Sequence, residues 1–270
     1  MRRLFLVVIS LFLAGCVTGG VSYNAKPALP KDKQIKIALL KYEMARNIIL
    51  HKDYAHLAEA FGYLDEAQKV LKNDPRIYYI KALAYQMRGN RKLYAEYLRK
   101  AIEADKNFFD AYNALGVYYF EKGNYKKALA LFTKLINNPL YAHTDIAFYN
   151  RSRVYLKLGK LARAEDDLES ALAFSSYGSK VYWKALIFVE MMRKEYLKAL
   201  ENLYKMEDYT GPSYYIDYTR ALCYYKLDMP DKALEQLNRI KDDDPKYAVL
   251  KAQLLRKIER SIHNDNNTDN

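Results

Sequence analysis

Cysteine is nearly missing: the 270 residues hold two, Cys16 and Cys223, too few for a disulfide scaffold. Glycine (10) and proline (7) are also scarce, which excludes a turn-rich all-β fold of many short strands. Histidine is thin: His51 and His56 lie five apart and so point away from each other on a helix, while His143 and His263 stand alone. No metal site assembles from such a set, because ligands must cluster at matched spacing. Phosphate-cradling glycine loops, nucleophile elbows and His-Glu-x-x-His are all absent, so the sequence predicts no catalytic residue, no cofactor and no small-molecule substrate. The apolar run Leu4 to Leu13 is shorter than the roughly 20 residues of a spanning helix. Hydrophobic residues at 51% and charged residues at 28% exclude a disordered chain. The abundant aromatic is tyrosine, at 27 residues beside one tryptophan.

Residues 1–15 combine Arg2 and Arg3, the apolar run, and the small residues Ala14 and Gly15, the anatomy of an export signal. Leu13-Ala14-Gly15-Cys16 resembles the lipobox of bacterial lipoproteins. By that resemblance Cys16 is lipidated and becomes the mature N-terminus, and losing Arg2 and Arg3 lowers the formal charge from +12 to +10. Two or three acyl chains hold a protein durably where one anchors it marginally. Val17 stands where aspartate would favour inner-membrane retention, so the expected location is the outer membrane, periplasmic face, lipid-anchored. Residues 16–33, with Gly19-Gly20, Pro27 and Pro30, read as a leash, and residues 264–270 as a frayed polar tail.

Between these ends the chain repeats every 34 residues. From Phe109 it shows Tyr112, Leu115-Gly116, Tyr119, Gly123, Tyr125, Ala128 and Phe132, and this spacing resembles the tetratricopeptide repeat. Units fall near 34–74, 75–108, 109–142, 145–178, 179–213 and 214–247, with one inserted residue near Arg193 and a capping helix over 246–263. The first is degenerate. In each unit, positions 4, 7, 8 and 11 form one buried stripe, and positions 8 and 20 are mostly small where paired helices approach closely. The resemblance implies an all-α, right-handed superhelical solenoid of about six helix pairs plus the capping helix.

Such arrays are binding modules. Positions 2, 5, 9 and 12 of the first helix make a second stripe, over 100° from the first, which in resembling folds lines a groove. It contributes Tyr79, Phe120, Tyr149, Arg153, Trp183, Tyr215, Tyr218 and Tyr225 as candidate partner-binding residues, and Leu156, Ile187, Glu190 and Leu222 share it. Tyrosine, tryptophan and arginine anchor interfaces because they bury large area at modest entropic cost. The alternative for any one of them is contact with the next repeat. The acidic runs Glu165-Asp166-Asp167 and Asp242-Asp243-Asp244 read as solvated surface, and Cys223 as buried packing. Basic residues are spread along the helices, so nucleic acid is not an expected partner.

Two local features narrow the family. Asn137-Asn138-Pro139-Leu140-Tyr141, followed by Ala147 and Asn150, and the run Ala82 to Gln86 with Asn113 to Tyr119, resemble the type IV pilus pilotin family (PilF/PilW). The lipobox, the leash and the unit count agree. The resemblance implies a non-enzymatic outer-membrane scaffold that binds the secretin and promotes its localisation and assembly. The alternative is a repeat lipoprotein that serves as adaptor for another outer-membrane assembly or cell-wall complex.

Overall fold

The computed structural model describes residues 29–241 and 243–268, with side chains as far as 261. The residues read as an export signal, Cys16 and most of those read as a leash lie outside the described residues, as do Asp242 and the His263 side chain. Among the described residues there are thirteen helices and no strand. Six pairs follow one another: α1 (Lys31–Leu50) with α2 (Leu57–Val70), α3 (Pro75–Met87) with α4 (Arg91–Ala104), and α5 (Phe109–Glu121) with α6 (Tyr125–Ile136). Then come α7 (Thr144–Lys157) with α8 (Leu161–Phe174), α9 (Lys180–Met192) with α10 (Tyr196–Thr210), and α11 (Tyr214–Lys226) with α12 (Pro230–Asn238). The last helix, α13 (Pro245–Thr268), packs on α11 and α12 and stays helical past Asn264, where the sequence predicts a frayed tail. At the other end α1 begins at Lys31, two residues before the expected end of the leash.

The tight turn inside a unit requires one residue in the left-handed region. Gly89, Gly123 and Gly159 take it with φ of 71°, 72° and 69°, and the equivalent places in the next two units hold Lys194 (62°) and Asp228 (59°). Asn90 and Asn124 follow two of these turns and cap the second helix, each side chain accepting from the backbone N–H three residues on. Position 20 is completely buried alanine in five units: Ala60, Ala128, Ala164, Ala199 and Ala233. Four residues later Leu64, Leu98, Phe132, Leu168, Leu203 and Leu237 fill the space between the paired helices. In the pair α5–α6 the fit leaves no room at all, since a Cβ on Gly116 would lie 2.6 Å from the Phe132 ring. The Asn137 to Tyr141 insert works as a plug, its Tyr141 buried edge-on to Phe109 at 5.8 Å between ring centres.

Two expectations change. The unit containing α9 starts at residue 180, because Ser179 caps the helix by accepting from the Tyr182 backbone N–H, and Lys194 supplies the turn. Counted from there, Ala199 reaches position 20 with no inserted residue, and Trp183 moves to position 4 on the packing stripe. The run Glu165-Asp166-Asp167 is also not uniformly solvated, for Glu165 and Asp167 are buried and only Asp166 is exposed. Asp167 takes a bidentate grip from Arg151 (2.7 and 2.9 Å), and Glu165 pairs with Arg193 and Lys198 of the next unit. Those partners lie at least 16 positions away in sequence, so the run's local pattern carries no sign of them.

Candidate functional site

The first helices α5, α7, α9 and α11, joined by α13, carry two adjoining depressions on one face. The smaller, of about 390 Å³, is lined by Phe120, Arg153, Leu156, Lys157, Phe188 and Met192. The larger, of about 490 Å³, takes Phe188 and Met192 on one side, Tyr215, Tyr218 and Leu222 in the middle, and Tyr247 and Leu250 from α13. Phe188 and Met192 belong to both, so the two form one trough across successive repeats. Both are large apolar side chains left about half exposed, at 55% and 50%. A contiguous apolar patch of this kind on a folded domain marks an interaction surface.

The sequence-predicted residues divide among three fates. Phe120, Arg153, Tyr215 and Tyr218 line the trough. Arg153 sits over the Phe120 ring at 4.7 Å and donates to Asn150 Oδ1 at 3.1 Å, while Asn150 donates to Asn113 of the preceding unit at 2.9 Å. Tyr215 is covered by the Lys184 ammonium, 4.6 Å above its ring, and burial pushes its hydroxyl up to about 12. The Tyr218 hydroxyl is raised for the same reason. Tyr149 and Tyr79 are half-buried against neighbours: Tyr149 lies 5.0 Å from the Tyr182 ring, and Tyr79 meets Phe108 edge-on at 5.4 Å. Tyr225 packs against the core shared by α11, α12 and α13 and lines neither depression.

Trp183 is a correction. It is 2% exposed, its indole N–H donates to the Tyr177 carbonyl at 2.8 Å, and its ring stacks beneath Tyr209. A tryptophan so enclosed packs the solenoid rather than a partner. Ile187 and Glu190, placed on the same stripe, are completely buried too. The one-residue shift of register explains all three, since it turns Val181, Lys184, Phe188 and Met191 onto the outer stripe instead. Phe188 was therefore legible only to an alignment anchored on Trp183 at position 4, the place where tryptophan is usual in this repeat. Tyr247 and Leu250 carried no signal, because α13 lies outside the repeat pattern.

Elsewhere the ionisable groups have structural work. His56 bonds Asp53 at 2.7 Å on an exposed turn, which raises the imidazole and lowers the carboxyl. Asp244 caps α13, accepting from the Lys246 and Tyr247 backbone N–H groups, and Asp243 accepts from the Tyr214 hydroxyl at 2.9 Å.

Models of the tetratricopeptide repeat match residues 75–108, 97–130, 146–176 and 217–247. With the six stacked helix pairs, this makes the chain a tetratricopeptide-repeat solenoid. Among known proteins it is similar to the type IV pilus assembly protein PilF of Pseudomonas aeruginosa, 24% identical over 201 residues, covering 72% of this chain and 73% of that protein. The solved structure of P. aeruginosa PilF matches with a TM-score of 0.64 at 17% identity, over 83% of this chain and 99% of that one. That of PilW, described as a widely conserved type IV pilus biogenesis factor, matches with a TM-score of 0.65 at 18% identity, over 82% and 99%. At those identities the structural likeness is one of fold. RNA polymerase II-associated protein 3 of Rattus norvegicus is 35% identical over 92 residues, 32% of this chain, but the chain spans only 14% of that protein's length.

Proposed function

We propose that this chain is a non-enzymatic, lipid-anchored envelope scaffold of type IV pilus biogenesis, which binds the outer-membrane secretin and promotes its localisation and assembly. The observation that carries the reading is the similarity to PilF, which runs through nearly three-quarters of both chains rather than through one shared repeat. The lipobox-like Leu13 to Cys16 supports an anchor at Cys16, and Val17 supports the outer membrane. The trough supports a protein partner, because its aromatic and methionine side chains offer buried-anchor sites and no convergent set of reacting groups.

Affinity capture of the secretin from solubilised envelopes tests the client directly. Phe188→Ala with Tyr218→Ala removes two aromatic anchors, each worth about 2 kcal/mol or more at a hot spot, so binding should weaken by roughly a thousandfold. A folded double variant that captures secretin like the wild type would exclude the trough. Capture of wall or barrel-assembly components in place of the secretin would instead support the adaptor reading. For the anchor, Cys16→Ser should abolish incorporation of radioactive fatty acid, and equal labelling of the variant would refute lipidation at this site.

A further inference from the structure

The trough has a definite charge pattern along its length. At the α7 end Arg153 and Lys157 line it, and at the α13 end Lys246 does; no carboxylate lines either depression. Among the described residues none of these three cations is held in an ion pair: Arg153 donates to an asparagine, and the Lys246 ammonium lies 5.3 Å from the Tyr247 ring. Between the two ends the floor is apolar, formed by Phe188, Met192, Tyr218 and Leu222. Lys184, beside the middle of the trough, is held over the Tyr215 ring at 4.6 Å. Unpaired positive charge at both ends of an apolar channel attracts a ligand of the complementary pattern and resists one of like charge.

We infer that the occupant of the trough is a protein segment with an apolar centre and acidic residues on both sides of it. The inference rests on the first-helix face being the docking surface, and it does not depend on the secretin being the client. A lipid fits less well, because one headgroup cannot answer cations at two separated ends. The chain's own stretch 17–28 does not match either: its only charge is Lys26 and it carries no acid. A second copy docking face to face would set basic rim against basic rim, with a repulsive cost. Methionine at the junction suits the site to anchors of varied shape, since its thioether repacks easily.

Selection from a phage-displayed library of random peptides about twelve residues long, on the full-length chain, tests the inference. Enriched peptides should carry aromatic or aliphatic residues bracketed by aspartate or glutamate. They should bind roughly tenfold more weakly to Phe188→Ser/Met192→Ser, and weaken further as salt rises. Lys157→Glu/Lys246→Glu, which changes two exposed side chains and keeps the apolar floor, should lose the acidic peptides and prefer their lysine-flanked versions. Circular dichroism melts of both variants should match the wild type. Enrichment of basic or uncharged flanks, or peptides indifferent to both variants, overturns the proposal. So does displacement of the peptides by phosphatidylglycerol vesicles, which makes the occupant a lipid. A wild-type dimer in sedimentation that becomes monomeric in Phe188→Ser/Met192→Ser makes it a second copy. Because selection uses the isolated chain, failure here is distinct from failure to capture secretin from envelopes.

Discussion

Glu190 shows how one side chain carries a cost for the packing around it. It lies on α9, completely buried, and one carboxylate oxygen accepts from Asn202 on the paired α10 while the other, Oε2, has no partner. Burial pushes its carboxyl up to about 7, outweighing the Asn202 hydrogen bond and the Lys198 charge that favour ionisation. A carboxyl raised on folding binds its proton more tightly in the native state, so its stabilising contribution is complete below about pH 4.5 and is lost as pH climbs through about 7. Glu190→Gln keeps an acceptor for Asn202 and removes the titration. The difference in stability between wild type and Glu190→Gln should therefore shift by up to about 3 kcal/mol between pH 4 and pH 8, the variant gaining as pH rises. Urea denaturation at several pH values measures it, and a pH-independent difference would mean Glu190 is solvated. Nearby Cys223 is buried as well, its thiol raised to about 12, and so is inert packing.

At the scale of the element, turns and helices carry separate information. The left-handed turn position is glycine in three units, and there the repeat is plain to read. In the α9–α10 unit the same position is Lys194, so the anchor for counting is hidden, and a unit begun at Ser179 is turned by about 100° around α9. That one-residue offset places Trp183 on the binding stripe and leaves Phe188 off it. Because a non-glycine residue in this conformation costs about 1 kcal/mol or more, Lys194→Gly should stabilise the protein by a few tenths to about 1 kcal/mol. A higher thermal midpoint checks it. The new register makes a sharper contrast: Trp183→Ala should destabilise by about 3–5 kcal/mol, while Phe188→Ala, half exposed, should change stability little. Comparable losses in thermal melts would contradict the register that starts at residue 180.

For the whole molecule, each unit touches its neighbours in sequence, so stability is a chain of local interfaces and the ends are vulnerable. Helix α13 closes one end by burying Leu254 and Ile258 against Leu237 and Ile240, and it also forms the far wall of the trough. Removing residues 245–270 should strip hydrogen-exchange protection from α11 and α12 while leaving α3 to α6 protected, as read by mass spectrometry. Uniform loss along the solenoid would show a single cooperative unit instead.

Local pattern by itself determined the helices, their pairing and the buried alanine and leucine positions, because those follow from a 34-residue period and the 3.6-residue turn of the helix. It also marked Phe120 and Arg153 as outward-facing, from units with glycine at the turn, and Tyr215 and Tyr218, from a unit with Asp228 there but with Ala221 and Ala233 in register. Only the tertiary structure decided which outward residues stay free. Tyr79 and Tyr149 are partly covered by rings of other elements, Glu165 and Asp167 are enclosed by cations from other helices, and α13, which has no repeat, completes the trough with Tyr247 and Leu250. Each of these contacts joins residues far apart in the chain, and periodicity within one helix holds no information about what the next helix lays upon it.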